Sequence, residues 1–126
     1  MIKKGLNPST LMNRRRIIVG ITYESIVEAM RNKIKGVDVS YVPGTLAYQF
    51  NVEGKGEGIF YLEIKDGKAS VEPYEYYDRN AIIIMSGTDL LKLIDGRLDP
   101  VVAFTTGKLK VEGDINAALE LTKFLK

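Results

Sequence analysis

Few residues in this chain are suited to chemistry, and they are of restricted kinds. Its 126 residues include no cysteine and no histidine. Thiolate nucleophiles, disulfides and thiolate-held zinc are therefore excluded. So is imidazole, the usual general base near neutral pH and the commonest metal ligand. Carboxylates, lysines, hydroxyls and seven tyrosines remain. Gly54, Gly56 and Gly58 are spaced like a phosphate-cradling loop, but such a loop should lead from a strand into a helix N-terminus. Here Phe60-Tyr61-Leu62 follows, which reads as a second strand, so the glycines read as a flexible hairpin.

Asp78 with Arg79, and Asp95 with Arg97 and Asp99, hold the groups of an acid pair or a cation site. Each set lies beside turn residues, where carboxylates commonly cap helices and form surface ion pairs. Tyr74, Tyr76 and Tyr77 beside Arg79 have the makings of a base-stacking platform, but packing or rim positions at the edge of a sheet account for them better. The expectation is a protein that is not an enzyme, with no catalytic residue, no metal ligand and no cofactor.

The charge is uneven. Residues 1–20 carry Lys3, Lys4, Arg14, Arg15 and Arg16 and no acid, which leaves 13 basic against 16 acidic residues for the rest. A mildly acidic body argues against nucleic acid, whose affinity rests on phosphate contacts. The basic arm is a candidate for transient contact with an anionic membrane surface. No apolar run approaches a membrane span and the N-terminus lacks the apolar core of a secretory signal, so a cytoplasmic protein is expected. The length suits one domain, 21–126, preceded by the arm, 1–20.

The elements that must position these residues follow from periodicity. Thr22 is placed to cap a helix in which Tyr23, Ile26, Val27, Met30 and Ile34 recur at helical spacing, with Ile21 and Ile26 as a hydrophobic staple and Gly36 as the stop. Leu46, Tyr48, Phe50 and Val52 alternate with Ala47, Gln49, Asn51 and Glu53, and Phe60, Leu62 and Ile64 alternate in a second strand. Asp66-Gly67 is a two-residue hairpin signal leading to a third strand over 68–72. Ala81 to Met85 is apolar on both faces, a strand covered on both sides or capped by the arm. Leu90, Leu91, Leu93 and Ile94 then form a helix capped by Thr88 or Asp89, and Asp99-Pro100 starts a short one through Phe104. Leu109 and Val111 mark a last strand, and Asp114 caps a final helix. Runs of strands with helices set apart predict an α+β layer, one sheet with helices on a single face.

The final helix carries more apolar surface than one packing contact needs. Ile115, Ala118, Leu119, Thr122 and Leu125 form one stripe, and Ala117, Leu121 and Phe124 an adjacent one. The surplus requires another helix, a second subunit or a ligand, and helix geometry alone leaves these open.

From Asn80 to Leu125 the chain resembles the sterol carrier protein type 2 family. The matching pieces are Ala81-Ile82-Ile83-Ile84-Met85-Ser86, then Asp89-Leu90-Leu91-Lys92-Leu93-Ile94-Asp95-Gly96-Arg97-Leu98-Asp99-Pro100, then Ala103-Phe104, then Gly107-Lys108-Leu109-Lys110-Val111-Glu112-Gly113-Asp114 and the apolar helix. Tyr61 to Lys68 with Val71, and the helix at 23–34, extend the likeness; the basic arm lies outside it. The resemblance implies a five-stranded, largely antiparallel sheet with helices on one face and an apolar tunnel between the layers. It implies a non-catalytic carrier of acyl, acyl-CoA, isoprenoid or sterol-like ligands. By position, the tunnel walls would be Leu90, Leu91, Ile94, Phe104, Ala118, Leu121, Phe124 and Leu125, over a sheet floor of Phe50, Leu62 and Ile84. On that assignment Phe124→Asp or Leu121→Asp should abolish fatty-acid binding and spare the fold. The chain lacks the peroxisomal tail that eukaryotic members often carry, so a stand-alone bacterial or archaeal relative with an acyl or isoprenoid ligand is expected. The alternative is an interaction or homodimerisation module using the last helix.

Overall fold

A computed structural model of the chain describes residues 20–125. The arm's basic residues, Lys3, Lys4, Arg14, Arg15 and Arg16, lie outside the described residues.

Helix α1 spans Tyr23–Lys35. Its start is a reciprocal cap: the Ser25 amide donates to the Thr22 hydroxyl at 3.0 Å, and the Thr22 amide to the Ser25 hydroxyl at 3.1 Å. Two otherwise free first-turn donors are thereby satisfied. Ile26, Val27, Met30 and Ile34 face the core, as their spacing predicts. Strands β1 (Thr45–Glu53), β2 (Gly58–Lys65) and β3 (Lys68–Glu72) form an antiparallel meander. The β2–β3 turn places Asp66 at φ 53° and Gly67 at φ 76°, the left-handed pair that matches strand twist in a two-residue hairpin.

After the connection 73–80, β4 (Ala81–Ser86) returns to lie parallel to β1. Helix α2 (Gly87–Ile94) leaves β4 without a loop. Its cap is Ser86, whose hydroxyl accepts from the Asp89 amide at 3.1 Å, one turn ahead of Thr88 or Asp89. Asp99 and Pro100 start α3 (Pro100–Thr105) as expected. Strand β5 (Lys110–Gly113) pairs antiparallel with β4, and α4 (Ile115–Phe124) is capped by Asp114.

The sheet order is β3-β2-β1-β4-β5. It is an α+β fold with one parallel pair among four. Residues opposite one another across strands share a face, so the registers Phe50↔Phe60, Phe50↔Ile83 and Ile83↔Val111 define the helix-covered side. Phe50 and Phe60 stack there at 4.8 Å with rings 8° from parallel. On the outer side the 73–80 connection covers part of the sheet. The Tyr76 amide donates to the buried Gln49 side chain, and the Tyr76 hydroxyl donates to Glu63 at 2.7 Å. The Tyr76 ring sets its edge on Tyr61, so packing and rim contacts account for this tyrosine. Strand β4 alternates buried and half-buried residues, so among the described residues its second face is only partly covered, and the expected capping by the arm lies outside them. Among the described residues, no helix is long and apolar enough to cross a membrane.

Candidate functional site

An apolar cleft opens where α3, α4 and the β4–β5 side of the sheet meet. Pro100, Val101 and Phe104 of α3 form one wall, and Ile115, Ala118, Leu119, Leu121 and Thr122 of α4, with Leu125, form the other. Ile83, Val111 and Leu109 close the base. Each element is held by its own cap. The Asp99 carboxylate accepts from the Val101 amide at 2.8 Å and the Val102 amide at 3.1 Å, and the Asp114 carboxylate accepts from the Asn116 amide at 2.8 Å and the Ala117 amide at 3.2 Å. The central strand pins α4 from below through Tyr48, whose hydroxyl donates to the Ala117 carbonyl.

Among the described residues Thr122 is the one lining residue with a polar side chain, and its hydroxyl is spent on the Leu119 carbonyl at 2.6 Å. The cleft's volume is about 50 Å³, against roughly 300–1,000 Å³ for ordinary ligand pockets. The mouth exposes apolar side chains: Val101 is 48%, Phe104 46%, Ile115 48% and Leu119 53% exposed.

Of the residues expected in a tunnel, Phe104, Ala118, Leu121 and Leu125 line this cleft. Phe50, Leu62, Leu90 and Ile94 are buried in the core and do not line it, and Leu91 packs half-buried against that core. Beneath α1 and α2 the buried side chains of Ile26, Met30, Leu90 and Leu93 belong to one core cluster with Phe50 and Leu62. Phe124 points under α4, 1% exposed, with its ring centre 6.4 Å from that of Tyr41. Ile84 is on the wrong side of the sheet. The register pairs Ile83 with Phe50 and Ile84 with Asn51, which puts Ile84 on the outer face and Ile83 at the cleft. A strand apolar on both faces has no phase of its own; pairing sets it.

The two stripes of α4 are both present: Ala117 and Phe124 are buried against the body, Ile115, Ala118, Leu119, Thr122 and Leu125 line the cleft, and Leu121, 2% exposed, lies in the core at the cleft's inner edge. Aspartate at Leu121 or Phe124 would therefore enter the core and unfold the protein, so neither is a clean test of binding. Ile83, Pro100, Val101, Leu109, Val111, Ile115, Leu119 and Thr122 line the cleft without having been expected as walls. The alternation of Val111 with Lys110 and Glu112 was the available signal.

Several of the other candidate groups have structural roles. The glycine loop joins β1 to β2, both strands. Arg97 pairs with Asp95 at 3.1 Å, Asp99 caps α3, and Arg79 donates to the Tyr76 carbonyl. Among the described residues no three carboxylates converge on a point that could hold a metal.

Known proteins resemble this chain in sequence and share its fold. The chain is 37% identical over 79 residues to hydroxysteroid dehydrogenase-like protein 2 of Xenopus tropicalis, covering 62% of this chain and 19% of that one. It is 34% identical over 85 residues to sterol carrier protein 2 of Bos taurus, covering 66% and 16%. The chain thus spans about a fifth or less of the length of these curated relatives. The solution structure of palmitated SCP2L2 from Aedes aegypti matches the fold with a TM-score of 0.64 at 18% identity, covering 83% of this chain and 95% of that one. The model of the SCP-2 sterol transfer family matches residues 29–126. With more than three quarters of its length under that match, the chain belongs to the SCP-2 sterol transfer family.

Proposed function

We propose that this chain is a non-catalytic carrier that binds one acyl or isoprenoid chain in the cleft between α3, α4 and the β4–β5 side of the sheet. The observation that carries this reading is the cleft's lining, apolar throughout apart from a spent threonine hydroxyl, with an apolar mouth open to solvent. Burying a methylene stabilises a complex by about 0.8 kcal/mol. A chain of roughly ten carbons therefore offsets the cost of association without any polar contact. The small volume implies that the ligand opens its own site, with α3 and α4 as the moving walls. Family membership and the palmitated relative of the same fold support a lipid of this kind. Acyl-CoA and sterols are the other members of the class.

The test is native mass spectrometry of the freshly purified protein, followed by mass analysis of an organic extract. A lipid adduct of defined mass is expected. A second reading, a homodimerisation module, draws on the same exposed residues of α3 and α4. A clean dimer with no adduct would support it and sink the carrier.

A further inference from the structure

We propose that Ile17-Ile18-Val19, at the end of the N-terminal arm, crosses the outer face of the sheet and covers Ile59, Asn51 and Ile84. This docking does not depend on what the cleft binds. The strand registers build the surface. Asn51 pairs with Ile59 of β2 and with Ile84 of β4, so the three side chains stand in one row across the sheet. They lie on the outer face, since their neighbours Phe50, Phe60 and Ile83 take the helix-covered one. Ile59 is 40% exposed and Ile84 is half-buried. The 73–80 connection covers the next row instead, through Tyr76 on Gln49 and Tyr61. The Asn51 side-chain oxygen accepts from the Gln49 amide at 2.9 Å, while its own NH2 group has no acceptor among the described residues. A backbone segment laid across this row supplies apolar cover and a carbonyl for that donor.

The entry to α1 lies beside this row. A Cβ on Gly56 of the β1–β2 loop would come 3.3 Å from Cγ2 of Ile21 and 3.2 Å from the Thr22 carbonyl carbon, so the chain ahead of α1 rests on that loop. The Tyr23 hydroxyl donates to the Ile59 carbonyl at 2.5 Å. Three extended residues span about 10 Å, and two strand spacings of about 4.8 Å separate β2 from β4. With Gly20 as the joint, Ile17 to Val19 reach from Ile59 to Ile84. All three are β-branched, the type that packs well on a pleated surface. Two features select the arm over a second copy of the chain. A segment tethered a few residues away has a local concentration on the order of millimolar. A row with two isoleucines falls far short of the roughly 20–30 residues a side that a stable interface uses. The cleft opens on the opposite face of the sheet, so the docked segment leaves it free.

The chain has no cysteine, so single cysteines report exposure in the full chain. Ile84→Cys is expected to react slowly with a maleimide, and about tenfold faster when the arm also carries Ile17→Ser, Ile18→Ser and Val19→Ser. Ile83→Cys, one residue away on the helix-covered face, should stay slow in both arms. Under mild oxidation, Ile18→Cys should form an intramolecular disulfide with Ile84→Cys and not with Val102→Cys, which is exposed on α3. Any of four results would overturn the docking. The first is an Ile84→Cys rate that the arm substitutions leave unchanged. The second is an equal acceleration of Ile83→Cys, which would make the arm a stabiliser of the whole fold rather than a cover for one face. The third is crosslinking to Val102→Cys as fast as to Ile84→Cys. The fourth is protection of Ile84→Cys that disappears on dilution, which would assign the face to a second copy.

Discussion

The Tyr48 hydroxyl, on the middle strand of the sheet, donates a hydrogen bond of 2.5 Å to the backbone carbonyl of Ala117 in α4. The bond joins the cleft's outer wall to the centre of the fold. It also fixes the roll of α4, with Ala117, Leu121 and Phe124 down and Ile115 and Leu119 up. Tyr48→Phe keeps the ring and deletes the donor. We expect a loss of about 1 kcal/mol in urea unfolding, with faster hydrogen exchange in α4 than in β1. Equal exchange in the two elements would show that the bond does not hold the wall.

The same residue makes stability sensitive to alkali. Burial pushes the Tyr48 hydroxyl well above the ordinary tyrosine value near 10. The folded state keeps a proton that the unfolded chain releases, so the stabilisation is complete below about pH 10 and is lost as pH rises beyond it. Wild type should lose melting temperature more steeply above pH 10 than Tyr48→Phe does. Parallel curves would refute the linkage.

Tyr76 should titrate late for another reason. Its hydrogen bond to Glu63, aided by burial, raises it to about 12. An alkaline titration followed by phenolate absorbance should lose one late-titrating tyrosine in Tyr76→Phe, and the same step should move earlier in Glu63→Gln.

The two faces of α4 should respond differently to mutation. Leu119→Asp replaces a residue that is 53% exposed at the mouth. It should cost less than about 1 kcal/mol of stability while sharply weakening fatty-acid binding. Leu121→Ala removes a side chain that is 2% exposed and should cost about 2–5 kcal/mol. Unchanged fatty-acid affinity in Leu119→Asp would exclude this wall.

Gly87 is where β4 turns directly into α2, and its missing side chain is a packing requirement. A Cβ there would fall on the Lys55 carbonyl oxygen and lie 3.0 Å from the end of Ile26. Gly87→Ala should destabilise the protein by about 2–3 kcal/mol, since backbone of the β1–β2 loop has to move. A chemical denaturation midpoint equal to wild type would contradict this contact.

Much of the fold was legible residue by residue. Thr22, Asp99-Pro100, Asp66-Gly67 and Asp114 mark element boundaries through local hydrogen bonds and backbone preferences that need no distant partner. The cap of α2 was misread because Ser86, Thr88 and Asp89 are all competent acceptors, and the choice follows from where β4 stops pairing. The cleft was less legible. Leu90 and Ile94 are as apolar as Leu121 and Leu125, and composition does not say which of them face empty space.

The sequence by itself determined the absence of cysteine and imidazole chemistry, the order of elements, and a last helix with two apolar stripes. These depend on residue type and on neighbours a few positions away. Tertiary structure alone decided that Ile83 rather than Ile84 faces the cleft, that Phe124 is core, and that Ile115 and Leu119 are rim. Those outcomes depend on strand register and on the depth at which Tyr48 holds α4, which are contacts between residues 33 and 69 positions apart in the chain.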